Sequence, residues 1–131
     1  MATRTKIHFD GGARPNPGPI ETAIFVHGGS LIRTGLGIGT NGEAEWLALI
    51  HAAEFAIAQH LDEIVFIGDS LQVIQQAKDI GKCRSPELRE LQARFRALAA
   101  QLNYVGLRHV PRSKNLAGIA LQRRHGGLDP A

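Results

Sequence analysis

The sequence predicts an α/β domain built on one mixed β-sheet with helices packed against it. Three observations carry that expectation. The first third of the chain reads as consecutive strands joined by glycine-rich turns, the later part alternates short apolar runs with helix-like segments, and no internal repeat or linker divides the 131 residues. A chain of this length falls in the range of one domain with a real core, so residues 1–131 are expected to form a single domain.

The elements follow in order. Lys6–Asp10 reads as a strand that stops at Gly11-Gly12 and gives way to the turn-rich Ala13-Arg14-Pro15-Asn16-Pro17-Gly18-Pro19. Thr22–His27 and Leu31–Ile38 are β-like runs flanking Gly28-Gly29-Ser30, a connection suited to a hairpin. Thr40-Asn41 is placed to cap a helix from Glu43 to His60, whose apolar residues lie nearly all round it, so that helix is expected to be buried. Ile64–Ile67 is a continuous apolar run closed by Gly68-Asp69-Ser70, the pattern of a strand covered on both faces. Leu71–Ala77 reads as a short helix. Ser85-Pro86-Glu87 supplies an N-cap, a proline at the first helical position and an acid in the first turn of a helix reaching about Gln101. Tyr104–Val110 is a further strand, and Asn115 to about Arg124 a final helix before Gly126-Gly127.

Composition narrows the function classes. A hydrophobic content of 44% and a charged content of 21% fit a soluble globular protein, and no apolar run approaches the roughly 18–20 residues that span a bilayer. Met1–Lys6 leads straight into a strand-like segment without the apolar region of an export signal, and Cys83 has no second cysteine to pair with. A cytoplasmic protein without a membrane or protein partner, acting as a monomer, is the expectation. From Lys78 onward, 11 Lys and Arg face four acids, a charge of +7, whereas residues 1–77 carry −4. A basic portion beside an acidic one is suited to holding phosphates near a carboxylate cluster, although such asymmetry also occurs on surfaces with no polyanion partner.

Three carboxylates stand in similar settings: Asp10 after the apolar half of a strand, Glu45 in the first turn of the buried helix, and Asp69 at the end of a buried strand. Functional groups collect at strand ends because the side chains there leave the core while the backbone stays rigid. No Lys or Arg lies within two positions of Asp10 or Asp69, which favours a cation from elsewhere. Carboxylates suit Mg²⁺ or Mn²⁺, and the lack of clustered cysteines or an HExxH motif argues against zinc. Each acid taken singly also fits a local role, as a turn former, a helix-dipole partner or a helix cap.

The segments Ile7–Pro19, Thr40–Glu45, Ile67–Ser70 and His109–Asn115 occur in the order and at the spacing of ribonuclease H type 1 landmarks. The chain resembles that family from about residue 5 to residue 124, especially its compact branch without the extra basic protrusion. The resemblance implies a ribonuclease H-like fold with a five-stranded sheet in the order 3-2-1-4-5, its first three strands antiparallel. It also implies that Asp10, Glu45 and Asp69 are the catalytic, metal-holding acids of an enzyme that cuts the RNA strand of an RNA–DNA hybrid, leaving 5′-phosphate and 3′-hydroxyl ends. Two metal ions, about 3.5–4 Å apart, would serve that reaction.

Substrate contacts follow from the same resemblance: Asn16 and Asn41 match positions that sense the 2′-hydroxyl, Gly11 one whose backbone nears the RNA, and Ser70 one beside the third acid. Asn16 is equally a natural turn residue, while Asn41 and Ser70 are equally helix caps. Lys82, Arg84, Arg112 and Lys114 are candidates for phosphate contact or for simple solvated charge. The chain departs from the family at Gly42, where a second Asn is frequent, at Leu71-Gln72, where the order is often reversed, and at the fourth acid of the final helix. Counting from Asn115 puts that acid at Ile119, and matching the Leu-Ala pair puts it at Gly118; neither is acidic. Gln122, His125 and Asp129 are nearby in sequence. The resemblance thus implies a weakened or metal-demanding nuclease, with a hybrid-binding module lacking useful turnover as the second function class.

Overall fold

The computed structural model describes residues 4–126. Along the chain run β1 (Thr5–Ala13), β2 (Gly18–Val26), β3 (Gly29–Arg33), β4 (Ile38–Gly39), α1 (Asn41–Ala58), β5 (Glu63–Gly68), α2 (Leu71–Ala77), α3 (Pro86–Ala99), β6 (Tyr104–His109), a short 3₁₀ turn (Arg112–Lys114) and α4 (Leu116–Arg124). The main sheet runs β3-β2-β1-β5-β6. Pairs β1–β2 and β2–β3 are antiparallel, and β1–β5 and β5–β6 are parallel. This is the expected five-strand order.

Three boundaries differ from expectation. The run Leu31–Ile38 is not one strand: β3 ends at Arg33, and Ile38–Gly39 form a separate two-residue strand against the start of β2. Gly35 and Gly37 have φ of +68° and +93°, a left-handed backbone that cannot continue a pleat. β1 does not stop at Gly11-Gly12 but pairs with β2 as far as Ala13↔Ile20. Its parallel pairing with β5, however, ends at His8↔Ile67. Beyond that point β1 and β5 separate, and Asp10 lies just past the fork. Helix α1 starts two residues before the expected Glu43. Thr40 is its N-cap, accepting from the Glu43 N–H at 3.2 Å while the Glu43 carboxylate accepts from the Thr40 N–H at 3.3 Å.

One face of the sheet carries the main core. Ile7, Phe9, Ile64 and Phe66 point from β1 and β5 into α1, where Trp46, Leu49, Ala52, Ala53 and Ala56 receive them, and Phe95 of α3 closes the far side. Small alanines let α1 approach the sheet closely, and burial of each large side chain stabilises by about 1.5–3 kcal/mol. Trp46 is fully buried, and its indole N–H donates to Gln76 Oε1 at 3.2 Å. Gln92 in turn donates to the Gln76 carbonyl at 2.8 Å, tying α3 to α2. On the opposite face α4 packs Ala117 and Leu121 on Ala23 and Phe25. Among the described residues no helix is long and apolar enough to cross a membrane.

Candidate functional site

The fork between β1 and β5 brings three acids together. Asp10 leaves β1 just after its last pairing with β5, Asp69 directly follows β5, and Glu45 enters from the first turns of α1. One carboxylate oxygen from each lies within 4.8 Å of the other two. Gly11 sets the approach of α1, because a Cβ there would stand 2.0 Å from the Ala44 carbonyl oxygen. No larger residue fits without pushing Glu45 away from the strand.

This cluster is costly as it stands. Asp10 is 1% exposed, and among the described residues no N–H or hydroxyl donor bonds the buried Asp10 Oδ1 or Glu45 Oε2. Burial first, then the Asp69 charge, raises the Asp10 pKa above its ordinary value, to about 6, against the opposing pull of Arg112. Glu45 is raised further, to about 10, by burial first and then by the charges of Asp10 and Asp69. Two orphaned oxygens in a group of three carboxylates fit a hard divalent cation.

Compensation also comes from a base that no local reading of the sequence could supply. Arg112, in the 3₁₀ turn, sets Nη1 3.3 Å from Asp69 Oδ2 and 3.7 Å from Asp10 Oδ1, with its side chain 64% exposed at the mouth of the site. Asn115 is fully buried and was foreseen as a helix start, not as part of the site. Its Nδ2 donates to the Phe9 carbonyl at 2.9 Å and to Asp69 Oδ2 at 3.1 Å. Its Oδ1 accepts from the N–H groups of Ala117 and Gly118, capping α4. One amide therefore joins β1, the third acid and the last helix. The clue was the Asn at the head of a predicted helix; its reach to Asp69 is a tertiary fact. His109 Nε2 lies 3.2 Å from the Asp69 carbonyl oxygen, on the same rim.

The remaining expected residues divide. Asn41 Oδ1 accepts from the Ala13 N–H at 2.9 Å, and Asn16 Oδ1 accepts from the Asn41 N–H at 3.1 Å, so both staple the β1–β2 turn to the head of α1. Ser70 caps α2, accepting from the Val73 N–H. Asp10, Gly11, Arg14, Asn41, Glu45 and Arg112 line a cleft of about 310 Å³. Lys82 and Arg84 lie exposed in the α2–α3 connection, and Lys114 is exposed beside Asn115. The two alignments of the final helix separate cleanly. Gly118 is buried against Asp10, whereas Ile119 lines a different hollow with Phe25 and Ser30. His125 pairs with Glu21, as does Arg124 at 2.9 Å, so its ring is committed to β2. Asp129 lies outside the described residues.

A sheet ordered in this way, with three acids at the fork of its central parallel pair, is a ribonuclease H-like domain. The chain belongs to the reverse transcriptase-like family, whose model matches residues 24–125. It is 36% identical over 123 residues to ribonuclease HI of Halobacterium salinarum, an alignment covering 90% of this chain and 62% of that protein. The chain thus spans under two thirds of that relative's length. The crystal structure of RNase H1 from the same archaeon superposes with a TM-score of 0.83 at 34% identity, over 91% of this chain and 94% of that one. LC11-RNase H1 in complex with an RNA/DNA hybrid superposes with a TM-score of 0.77 at 27% identity, over 86% and 89%. The fold and the resemblance to ribonuclease H are borne out.

Proposed function

We propose that this protein hydrolyses the RNA strand of RNA–DNA hybrids with the help of divalent cations, Mg²⁺ or Mn²⁺, two of them when substrate is bound, held by Asp10, Glu45 and Asp69. The observation that carries the reading is the meeting of these three carboxylates within 4.8 Å, two of their buried oxygens reached by no N–H or hydroxyl donor among the described residues. The similarity to a ribonuclease H1 whose structure holds an RNA/DNA hybrid supports the substrate class.

When bound, the cations would neutralise charge on the scissile phosphate and polarise the attacking water. The chain's own residues do the rest. Asn115 holds the Asp69 carboxylate by its 3.1 Å bond and so fixes one wall of the site. Asn16 and Asn41 each accept a backbone N–H through Oδ1, which leaves their amide NH₂ groups to serve as donors to a 2′-hydroxyl in the minor groove. Gly11 offers a backbone without side-chain bulk at the cleft wall, and Ser70 stands beside the third acid. Arg112 holds negative charge at the cleft mouth, first that of the carboxylates and then that of a phosphate oxygen. Water adds to phosphorus as the bond to the 3′ oxygen breaks; the water loses a proton and the 3′ oxygen gains one, leaving 5′-phosphate and 3′-hydroxyl ends.

One observation favours a second reading, a hybrid-binding module with little turnover: the residue facing Asp10 from α4 is Gly118, which brings no fourth carboxylate. Incubating the protein with an end-labelled hybrid, single-stranded RNA and duplex DNA across Mg²⁺ and Mn²⁺ concentrations tests the choice. Metal-dependent cuts in the RNA of the hybrid alone support the enzyme; binding without cuts at any metal concentration supports the module.

A further inference from the structure

We propose that the sheet face left uncovered by α4, over β6, β5 and the first half of β1, docks single-stranded nucleic acid that continues from the hybrid held at the carboxylates. This rests on the nucleic-acid reading above and adds a second contact surface to it.

The register defines the face. Val65 pairs with Lys6 on one side and Gly106 on the other, Ile67 pairs with His8 and Arg108, and His8 pairs with Phe25. Alternation along each strand then puts Lys6, His8, Val65, Gly106, Arg108 and Phe25 on the face opposite the main core, since Ile7, Phe9, Ile64 and Phe66 fill the other. Contacts agree: His8 and Phe25 meet edge to face at 6.3 Å, and a Cβ on Gly106 would touch the Tyr104 ring at 3.1 Å and Val65 at 3.4 Å. Among the described residues, helix α4 packs on β1, β2 and β3 rather than on β5 or β6, leaving those two strands open on this side.

The open face is basic. Lys6 and Arg108 are exposed and make no ion pair among the described residues. The acid on this part of the sheet, Glu63, is already met by Arg4 at 3.6 Å. Arg4 also covers the Tyr104 ring at 3.7 Å from its centroid, so a guanidinium is held on an aromatic support with its side chain 55% exposed. Guanidinium planes and aromatic rings are the surfaces on which unpaired bases stack, and lysine and arginine between them hold the phosphates. Arg123 extends the same charge past Phe25 and Ser30.

Position connects this face to the site. Lys6, His8 and Asp10 are alternate residues of β1, and at about 3.3 Å per residue Lys6 lies roughly 13 Å from Asp10. A strand leaving the carboxylate cluster reaches Lys6 and Arg108 within a few nucleotides. A polyanion is the occupant whose charge complements this face.

The test compares a blunt hybrid with hybrids carrying a 5′ or a 3′ single-stranded RNA extension, by fluorescence anisotropy in chelator, using the wild type and Lys6→Glu/Arg108→Glu. The milder Lys6→Gln/Arg108→Gln serves if charge reversal disturbs the fold. The expected result is at least about fivefold tighter binding of one extended hybrid than of the blunt one. The double variant should lose that gain, with a salt dependence shallower by roughly 1.4 for two lost phosphate contacts, and cleave the blunt hybrid at an unchanged rate. Equal wild-type affinity for blunt and extended hybrids overturns the proposal, as does an equal loss on both. Failure of the wild type to bind or cut the blunt hybrid overturns the nucleic-acid reading itself, and this proposal with it.

Discussion

Gly118 faces Asp10 so closely that a Cβ added to it would stand 3.5 Å from Asp10 Oδ2. A carboxylate built there would join the three acids, whereas one at Ile119 would enter the hollow shared with Phe25 and Ser30. Gly118→Asp is therefore expected to lower the metal concentration needed for hybrid cleavage and raise the rate at least about tenfold, equivalent to about 1.4 kcal/mol of transition-state stabilisation. Ile119→Asp should give no gain and lower the melting temperature. Cleavage against metal concentration, with the folded fraction measured alongside, checks both; equal gains from the two variants would break the assignment of position 118.

Asn115 should prove structurally costly to replace. Asn115→Ala removes the α4 cap and strips partners from the buried Phe9 carbonyl and from Asp69. A loss of about 2 kcal/mol or more is expected from urea unfolding. A change below about 0.5 kcal/mol would mean that α4 is held by packing alone.

The raised pKa of Glu45 has a definite sign. An unfolded chain releases this proton near 4.5, whereas the metal-free folded protein keeps it up to about 10, so stability falls as pH rises through that window. Glu45→Gln should melt above the wild type in chelator at pH 8, with the difference shrinking toward pH 4.5. Melting curves across that range test it, and a variant less stable than wild type at pH 8 contradicts it.

His51 works in the opposite direction. It is buried with Nδ1 3.0 Å from the Thr22 hydroxyl, and burial first, then Arg33, lowers its pKa from 6.5 to about 4. The unfolded state takes up a proton that the folded state refuses, so stability contributed by His51 is full above about 6.5 and is lost as pH falls toward 4. The slope from this one group is at most about 1.4 kcal/mol per pH unit. His51→Gln should flatten the fall in melting temperature between pH 7 and 5; an unchanged fall would place its cause elsewhere.

Local patterns carried most of the fold. The apolar run Ile64–Ile67, the all-round apolar helix ending near His60 and the Ser85-Pro86-Glu87 cap each occur where the residues predict, because periodicity and capping act over a few positions. The break at Gly35 and Gly37 was less legible, since glycine permits a left-handed backbone without requiring one. In the site, the gathering of Asp10, Glu45 and Asp69 was foreseen from the family's landmarks. Arg112 beside Asp10 was not, because the pair is far apart in sequence and meets only once β6 has returned the chain to the fork. The choice between Gly118 and Ile119 likewise needed the helix's rotation against the sheet, which counting along the chain does not supply.

The central claim is that Asp10, Glu45 and Asp69 together perform metal-dependent cleavage of the hybrid. Asp69→Asn keeps the side chain's size, removes its charge and leaves an oxygen that can still accept from Asn115. The decisive measurement is the initial rate of cleavage of an RNA-labelled hybrid by wild type and Asp69→Asn across Mg²⁺ and Mn²⁺ concentrations, with both proteins shown to be folded. The expected result is metal-dependent cutting by the wild type and at least about a hundredfold loss in the variant, some 2.7 kcal/mol of transition-state stabilisation. A folded Asp69→Asn protein that cuts at the wild-type rate, or a wild type that cuts equally well in chelator, would contradict the account.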